Sequence, residues 1–519
     1  MGKFLKIYLF IICLLLLVSS CSSNEKSDSL INQDADISSE PKSGGTLNIA
    51  YDSDVSNYDP ILGNSGNDHA LLYPVYDTLV GYNANLEAVP SLAKKWEMPD
   101  DHTIILYLEE NVTFHDGSEF NAEAVKYNLE RVLSDESNIS DLSNVKAVEV
   151  IDNFTVKLIL SRPDSSIILA LSDRSGMMVS PKALEKYGED FSQNPVGTGP
   201  YKMKKWVRNG EIIFVKNQDY WQDSLPYLDE INIKIMPDEN TRLNALKSNQ
   251  VQFYWNVSSV NAQALKHDAN LLLNSKMKIA FYNIYLNTKM APFNKKEVRQ
   301  ALQVAINRES LVEALTFSEG EPAYQAFPSE YWASSEELKI PYDIEQSKEL
   351  LRKVGLNEVS FNMFVPSTPV YQRIAEAIKG QVKQAGFNIN IEPMELTKGV
   401  SLYFSEKQIE SNLTSWTGRP DPLQTVDLLL SGDGYYNAGG ETTEIREELI
   451  TKAASAYNQE DRAALYKEIN EVAIHDDAMT IPIMFVPSIG VMSPQVKGFE
   501  GTLLGKPKFS FLWLENGGE

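Results

Sequence analysis

Asn194-Pro195-Val196-Gly197-Thr198-Gly199-Pro200-Tyr201 is the stretch on which the fold turns. Two glycines one residue apart let another backbone, or an anion, come close to the chain. A phosphate-cradling loop would add the lysine and serine of a P-loop, or the full dinucleotide fingerprint, and neither is present. The stretch therefore reads as a tight structural crossing between packed elements. Outward from it, strand-like runs rich in β-branched and aromatic residues appear at Thr103 to Leu108, Val145 to Ile151, Phe154 to Leu160, Glu211 to Val215, Ile231 to Ile235, Ile279 to Leu286 and Ile481 to Val486. Helical stripes lie between them: Val125, Leu129 and Val132 behind an Asn121 cap, Val298, Leu302 and Ala305 behind Asn294, and Leu465, Ile469 and Val472 near the end. This interleaving predicts α/β lobes with helices packed on sheets.

The N-terminus is of another kind. Lys3 and Lys6 precede an almost wholly apolar Ile7 to Val18, and Ser19-Ser20 stand before Cys21, the layout of an export signal. The apolar core is shorter than the roughly 20 residues that span a bilayer. Val18-Ser19-Ser20-Cys21 resembles a bacterial lipobox, whose cysteine is acylated and becomes the new N-terminus. Cys13 would leave with the leader and the sulfur of Cys21 would carry lipid, so no disulfide framework, thiol nucleophile or thiolate metal site is expected. Residues 22–43 are polar and aperiodic and suit a flexible tether. The formal charge is −24, which argues against nucleic acid as a partner, since that needs a basic footprint. The length after Gly44-Gly45 exceeds one ordinary core and predicts two or three lobes.

Several ordered segments then resemble one family: Gly45-Thr46-Leu47, Asn57-Tyr58-Asp59-Pro60, Val89 to Ala93 with Trp96, Val112 to Gly117, Asn194 to Tyr201, Asn217 to Trp221, Val298 to Ala301 and Val496 to Phe499. From about Gly45 to the C-terminus the chain is similar to the solute-binding proteins, family 5, of peptide, nickel and related ABC importers. The resemblance implies a two-lobed α/β fold of the periplasmic-binding-protein type (class II, cluster C) with an extra subdomain on the first lobe. The expected division is a leader over 1–20, a tether over 21–44, lobe I from 45–81, 199–274 and 491–519, the extra subdomain over 82–198, and lobe II over 275–490. It also implies a lipid-anchored, extracytoplasmic, monomeric receptor that closes over a solute and presents it to a permease with a separate ATPase. No cofactor is expected, and Asn194 to Tyr201 would mark the hinge-like return into the first lobe.

Trp416-Thr417-Gly418-Arg419-Pro420-Asp421-Pro422 is the expected recognition segment. Proline at 420 and 422 biases Arg419 and Asp421 toward extended backbone, and in a strand those two side chains share one face. By the resemblance, Asp421 matches an aspartate that holds a peptide's α-amino group. Arg419 suits a carboxylate, because its planar fork donates two parallel hydrogen bonds; the alternative is that Arg419 and Asp421 pair with each other or with the second lobe. The Gly-Arg-x-Asp-Pro form also resembles members that carry glutathione or opine-like solutes. Tyr435, Tyr436 and Asn437 would supply an aromatic platform and an amide, Trp416 a cover over the ligand, and Tyr51 and Asp52 the opposing wall.

Two rival classes remain. Ser91-Leu92-Ala93-Lys94 fits Ser-x-x-Lys and Lys42-Ser43-Gly44 fits a late lactamase motif, but the latter lies in the tether and no Ser-Asp-Asn occurs. His115, in Phe114-His115-Asp116-Gly117, reads as part of a turn. Five histidines, His69, His102, His115, His267 and His475, show no i, i+4 pair, so a metal would have to come as a chelate.

Overall fold

The structure, a computed structural model, describes residues 40–63 and 69–517, so the leader, Cys21 and most of the tether lie outside the described residues. Among the described residues no helix is long and apolar enough to cross a membrane. In chain order, β1 (Thr46–Tyr51) sends Leu47, Ile49 and Tyr51 into one core and Ala50 into another, the two-residue alternation of a sheet covered on both faces. A small hairpin, β2 (Val80–Tyr82) and β3 (Ala88–Pro90), follows. Ser91 sits in the bend between β3 and the next strand, and Lys94 lies in that strand, paired with Glu110 at 3.1 Å. The helical turn that a Ser-x-x-Lys nucleophile requires is therefore replaced by extended chain.

Next comes an antiparallel four-stranded sheet in the order β4 (Ala93–Asp100), β5 (Thr103–Leu108), β7 (Thr155–Leu160), β6 (Val145–Asp152). The helix Ala122–Val132 packs on it, and the Asn121 side chain accepts from the Ala124 amide at 3.1 Å, the cap that the sequence predicts. The chain then returns to β1 through β8 (Tyr201–Val207), β9 (Glu211–Lys216), β10 (Glu230–Ile235) and β11 (Phe253–Tyr254). β12 (Leu272–Leu286) carries it into the second lobe, built on β13 (Glu321–Pro322), β14 (Val359–Pro366), β15 (Phe387–Met394) and β16 (Ser411–Trp416). β17 (Thr480–Met492) brings it back to the short pair β18 (Val496–Lys497) and β19 (Trp513–Leu514). The helix expected behind Asn294 runs from Lys296 to Val304, with Lys295 in the cap position.

The two sheets are joined edge to edge as β15-β14-β16-β12-β17-β11-β1-β10-β9-β8, and β12 and β17 are the members common to both. Each is longer than the sequence pattern shows. Leu272 to Met277 pair with Met492 to Pro487 on the first-lobe side, and Phe281 to Tyr285 pair with Phe485 to Thr480 on the second-lobe side. The register shifts between Met277 and Phe281, so the ribbon changes hands at that break. Each lobe has its own core: Leu47, Phe214 and Ile231 in the first, Ile284, Leu302 and Leu413 in the second. A third core crosses the gap, with Tyr82, Leu86 and Leu169 packed with Ile279, Phe281 and Trp416.

The Gly197-Thr198-Gly199 crossing is wedged rather than loose. The Gly199 amide donates to the Val75 carbonyl at 2.9 Å, and a Cβ added at Gly199 or Gly197 would lie 2.5 or 2.2 Å from that oxygen. His115 clamps the other side: its amide donates to the Gly197 carbonyl at 2.8 Å and its Nε2 bonds the Gly199 carbonyl at 2.9 Å. The motif thus fastens the four-stranded sheet to the first lobe, while β12 and β17 connect the lobes. Gly199→Ala forces a methyl group into backbone and should destabilise the protein by about 1–3 kcal/mol, read as a lower urea midpoint. A midpoint equal to that of wild type would show the segment free to shift.

Candidate functional site

β16 lies antiparallel to β12 with Trp416 opposite Phe281, so its last residue arrives beside the break between the lobes. Gly418 has φ +81, and a Cβ there would meet Ile279 Cγ1 at 2.5 Å, so both conformation and space call for glycine. Arg419 then folds back with its guanidinium 5.1 Å from the Trp416 ring centroid. Its Nη1 donates to the neighbouring Gly418 carbonyl at 2.9 Å. The carboxylate that faces it is Asp141, with Oδ1 3.9 Å from Nε. Among the described residues no carboxylate meets the guanidinium fork with two hydrogen bonds.

Opposite Arg419, the first lobe presents a buried charged cluster. Asp173 Oδ1 meets His69 Nδ1 at 2.6 Å, Asp173 Oδ2 meets Lys506 Nζ at 3.0 Å, and Lys506 also contacts the His69 ring. Arg174 donates to the Gly63 carbonyl. Burial pushes Asp141 up, and Arg419, Arg174 and Lys506 all draw it back. Burial lowers Lys506 while Asp173 supports it and Arg419 and Arg174 oppose it. Three cations and two carboxylates therefore feel one another across the gap.

Asp141 also lines a cavity of about 350 Å³ between the lobes. One wall carries Asn144, Arg162 and Asp164; the other carries Gln424, Asp427, Tyr435 and Glu447 from the second lobe. Burial pushes Asp427 up, Arg162 draws it down, and Asp164, Glu447 and Asp433 push it further up. The cavity lining is acidic, and the buried cluster behind Asp141 carries Lys506 and Arg174. Among the described residues no three His, Cys, Asp or Glu side chains gather as a metal cage.

The residues expected at the site separate into several groups. Arg419, Trp416 and Tyr436 stand together, Tyr436 edge-on to Trp416 at 5.1 Å, and Tyr435 lines the cavity half exposed. Asp421 does not join Arg419 on a common face. β16 stops at Trp416, and Asp421 begins the helix Pro422–Leu430, with Oδ1 accepting from the Leu423 amide at 2.8 Å and from Arg462 Nη2 at 2.5 Å. At 1% exposure it braces the loop. Asn437 is likewise occupied, donating to the Ser431 and Glu441 carbonyls at 2.9 Å each. Tyr51 stacks on Trp255 at 4.2 Å inside the first-lobe core, and Asp52, half buried at the end of β1, accepts from Ser53 and acts on Lys278 of β12. Cys21 lies outside the described residues. Sequence reasoning did not single out Asp141, the adjacent pair Asp173 and Arg174, or Lys506, three places far apart in the chain that share no local motif.

A family model described as "Bacterial extracellular solute-binding proteins, family 5 Middle" matches residues 87–437. The glutathione-binding protein GsiB of Salmonella typhi is 28% identical over 469 residues, covering 87% of this chain and 91% of that protein. The periplasmic binding protein DppA from Helicobacter pylori, solved in complex with peptide STSA, aligns with TM-score 0.81 at 25% identity, over 91% of this chain and 99% of its own. AgaA from A. tumefaciens R10, solved with agropinic acid, gives the same TM-score of 0.81, identity of 25% and coverage of 91% and 99%.

The buried cluster makes a pH prediction. Burial lowers the His69 pKa from 6.5 to about 3 despite Asp173, so below pH 6.5 the unfolded chain takes up a proton that the folded one refuses. This contribution leaves stability intact above pH 6.5 and subtracts up to about 1.4 kcal/mol per pH unit as pH falls toward 3. Asp173, held well below its usual range, acts in the same direction at the acid end. His69→Asn keeps a donor toward Asp173, and its stability should fall less steeply between pH 6.5 and 4 than that of wild type. Parallel profiles by urea denaturation would refute the assignment.

Proposed function

Because the chain belongs to the bacterial extracellular solute-binding proteins of family 5, we propose that it captures a zwitterionic, peptide-like solute between its lobes and delivers it to an ABC permease. The observation that carries this reading is Arg419, a guanidinium at the gap between the lobes whose fork no described carboxylate satisfies. A ligand carboxylate docks there, with Lys506 and Arg174 across the gap reinforcing the positive potential. The ligand's ammonium or other cationic part extends past Asp141 into the acidic cavity. Rotation about the β12 and β17 break brings the walls together and removes water from these contacts, which strengthens them. The names of the relatives support this class: a glutathione-binding protein, a peptide complex and a complex with agropinic acid. A metal ion would have to enter already chelated.

Calorimetry with glutathione, dipeptides and agropinic acid tests the reading, with X-ray scattering as a second channel. At least one of these solutes should bind intact and lower the radius of gyration. Arg419→Ala should weaken it by about 2–5 kcal/mol, the usual cost of removing one partner from a buried, hydrogen-bonded charge pair. Undiminished affinity in that variant, or chemical turnover of a bound solute, would count against the proposal.

We further propose that the mature chain is held to the outer face of the cell membrane by acyl groups on Cys21, with residues 22–43 as the tether. Several acyl chains on one residue anchor firmly where one binds only marginally. Cys21→Ala should move the protein from the membrane fraction into the soluble one; an unchanged distribution would remove the anchor.

A further inference from the structure

The recognition loop contains a second arginine contact that has nothing to do with the gap itself. Arg462, on the helix Gln459–Asn470, is 8% exposed and lies with its guanidinium 5.2 Å from the Trp332 ring centroid and 5.5 Å from that of Tyr466. Its Nη2 donates to Asp421 Oδ1 at 2.5 Å and to the Tyr466 hydroxyl at 2.8 Å. Tyr331, edge-on to Phe327 in the same aromatic group, donates its hydroxyl to the Pro420 carbonyl at 3.0 Å. The Asp421 amide donates to Gln424 Oε1 at 3.3 Å, closing a capping box at the head of the next helix. From the other side, Gly418 presses on Ile279 in the break of β12.

The five residues from Thr417 to Asp421 are thus fixed at both ends and touch the gap chiefly through the one side chain that no described carboxylate pairs in two-point fashion, Arg419. We infer that Arg462, through Asp421, is the positioning residue that aims the Arg419 fork at the ligand carboxylate. The inference rests on the proposed role of Arg419. Two parallel hydrogen bonds demand an angle as well as a distance. An apolar contact at 421 and 462 would hold the loop near the gap without setting that angle. A planar guanidinium held against two adjoining rings, whose centroids lie 5.9 Å apart, by contrast, narrows the direction in which Asp421 can point. Asp421 and Arg462 would therefore act on affinity without touching the solute.

The test uses the full-length chain and the tightest binder among glutathione and a set of dipeptides, together with that binder's C-terminal amide. The readout is the affinity ratio of acid to amide, a quantity that loss of stability alone leaves unchanged. Arg419→Ala should bring the ratio close to one. The paired variant Asp421→Asn with Arg462→Met, which leaves no unmatched buried charge, should stay folded by circular dichroism and lose at least tenfold of the ratio, with faster dissociation. If it does not fold, Arg462→Lys, which keeps the charge and not the fork, should lose at least threefold. A folded variant with the wild-type ratio, alongside Arg419→Ala that has lost it, would overturn the positioning role and leave the carboxylate reading standing. A wild-type ratio in Arg419→Ala would sink both.

Discussion

The β12 and β17 ribbon is the element on which the rest depends. Two strands of fifteen and thirteen residues serve as edge partners for both sheets, and their pairing breaks between Met277 and Phe281. An unbroken ladder would join the lobes as one rigid sheet, because every backbone hydrogen bond along it would resist relative rotation. The break leaves Lys278, Ile279 and Ala280 outside the regular pairing. The Ile279 amide is satisfied instead by the Leu503 carbonyl at 2.8 Å, and Lys278 is held at lowered basicity by burial with Asp52 on the first lobe as its counter-charge. A bend at this break would cost less ladder bonding than one elsewhere along the ribbon.

The position of the ribbon also decides where recognition can occur. β16 pairs with β12 up to Phe281, and the loop after it leans on Ile279. That contact places the loop beside the register break. Arg419 therefore stands next to the break, with Asp141 facing it from the other side of the gap. In the proposed mode a solute carboxylate docks at Arg419 and the acidic wall receives the cationic part of the same solute. Net charge adds a filter: with −24 overall and carboxylates at Asp164, Asp427 and Glu447 around the cavity, a purely anionic solute meets repulsion before it reaches Arg419. In the proposed mode a zwitterion meets attraction at both ends.

Much of this was legible in the chain. The α/β alternation, the Asn121 cap and the close-approach glycines at 197 and 199 depend on local chemistry, which a sequence states directly. Arg419 was singled out for its planar fork, and the structure places it at the gap with Asp141 3.9 Å from its Nε. Asp421 misled for a physical reason: the i, i+2 rule holds only while a strand continues, and this strand ends at Trp416. Asp421-Pro422 followed by Gln424 carried the missed signal, an N-cap, a proline at the first helical position and a capping-box partner. The cluster of His69, Asp141, Asp173, Arg174 and Lys506 has no such signature. It is assembled from residues up to 437 apart in sequence, and only the tertiary path of the chain brings them together.

Closure itself has two kinds of contact, and their division matters for selectivity. Tyr82, Leu86 and Leu169 meet the second lobe through apolar surface, which favours the closed form whatever solute is present. Ser165 adds direction: its amide donates to the Ala454 carbonyl at 2.9 Å and its hydroxyl to the Ala453 carbonyl at 3.0 Å, both in the last turn of the helix Glu444–Ser455, where Ala453 also accepts from the Ala456 amide. Contacts of this sort raise affinity for every solute alike, because they shift the population of the closed state and do not distinguish what lies inside it. Discrimination must then come from groups whose satisfaction depends on the solute, which in the proposed mode are Arg419 and the carboxylates opposite it. In that mode the common contacts set how tightly the protein binds, and the charged ones set what it binds.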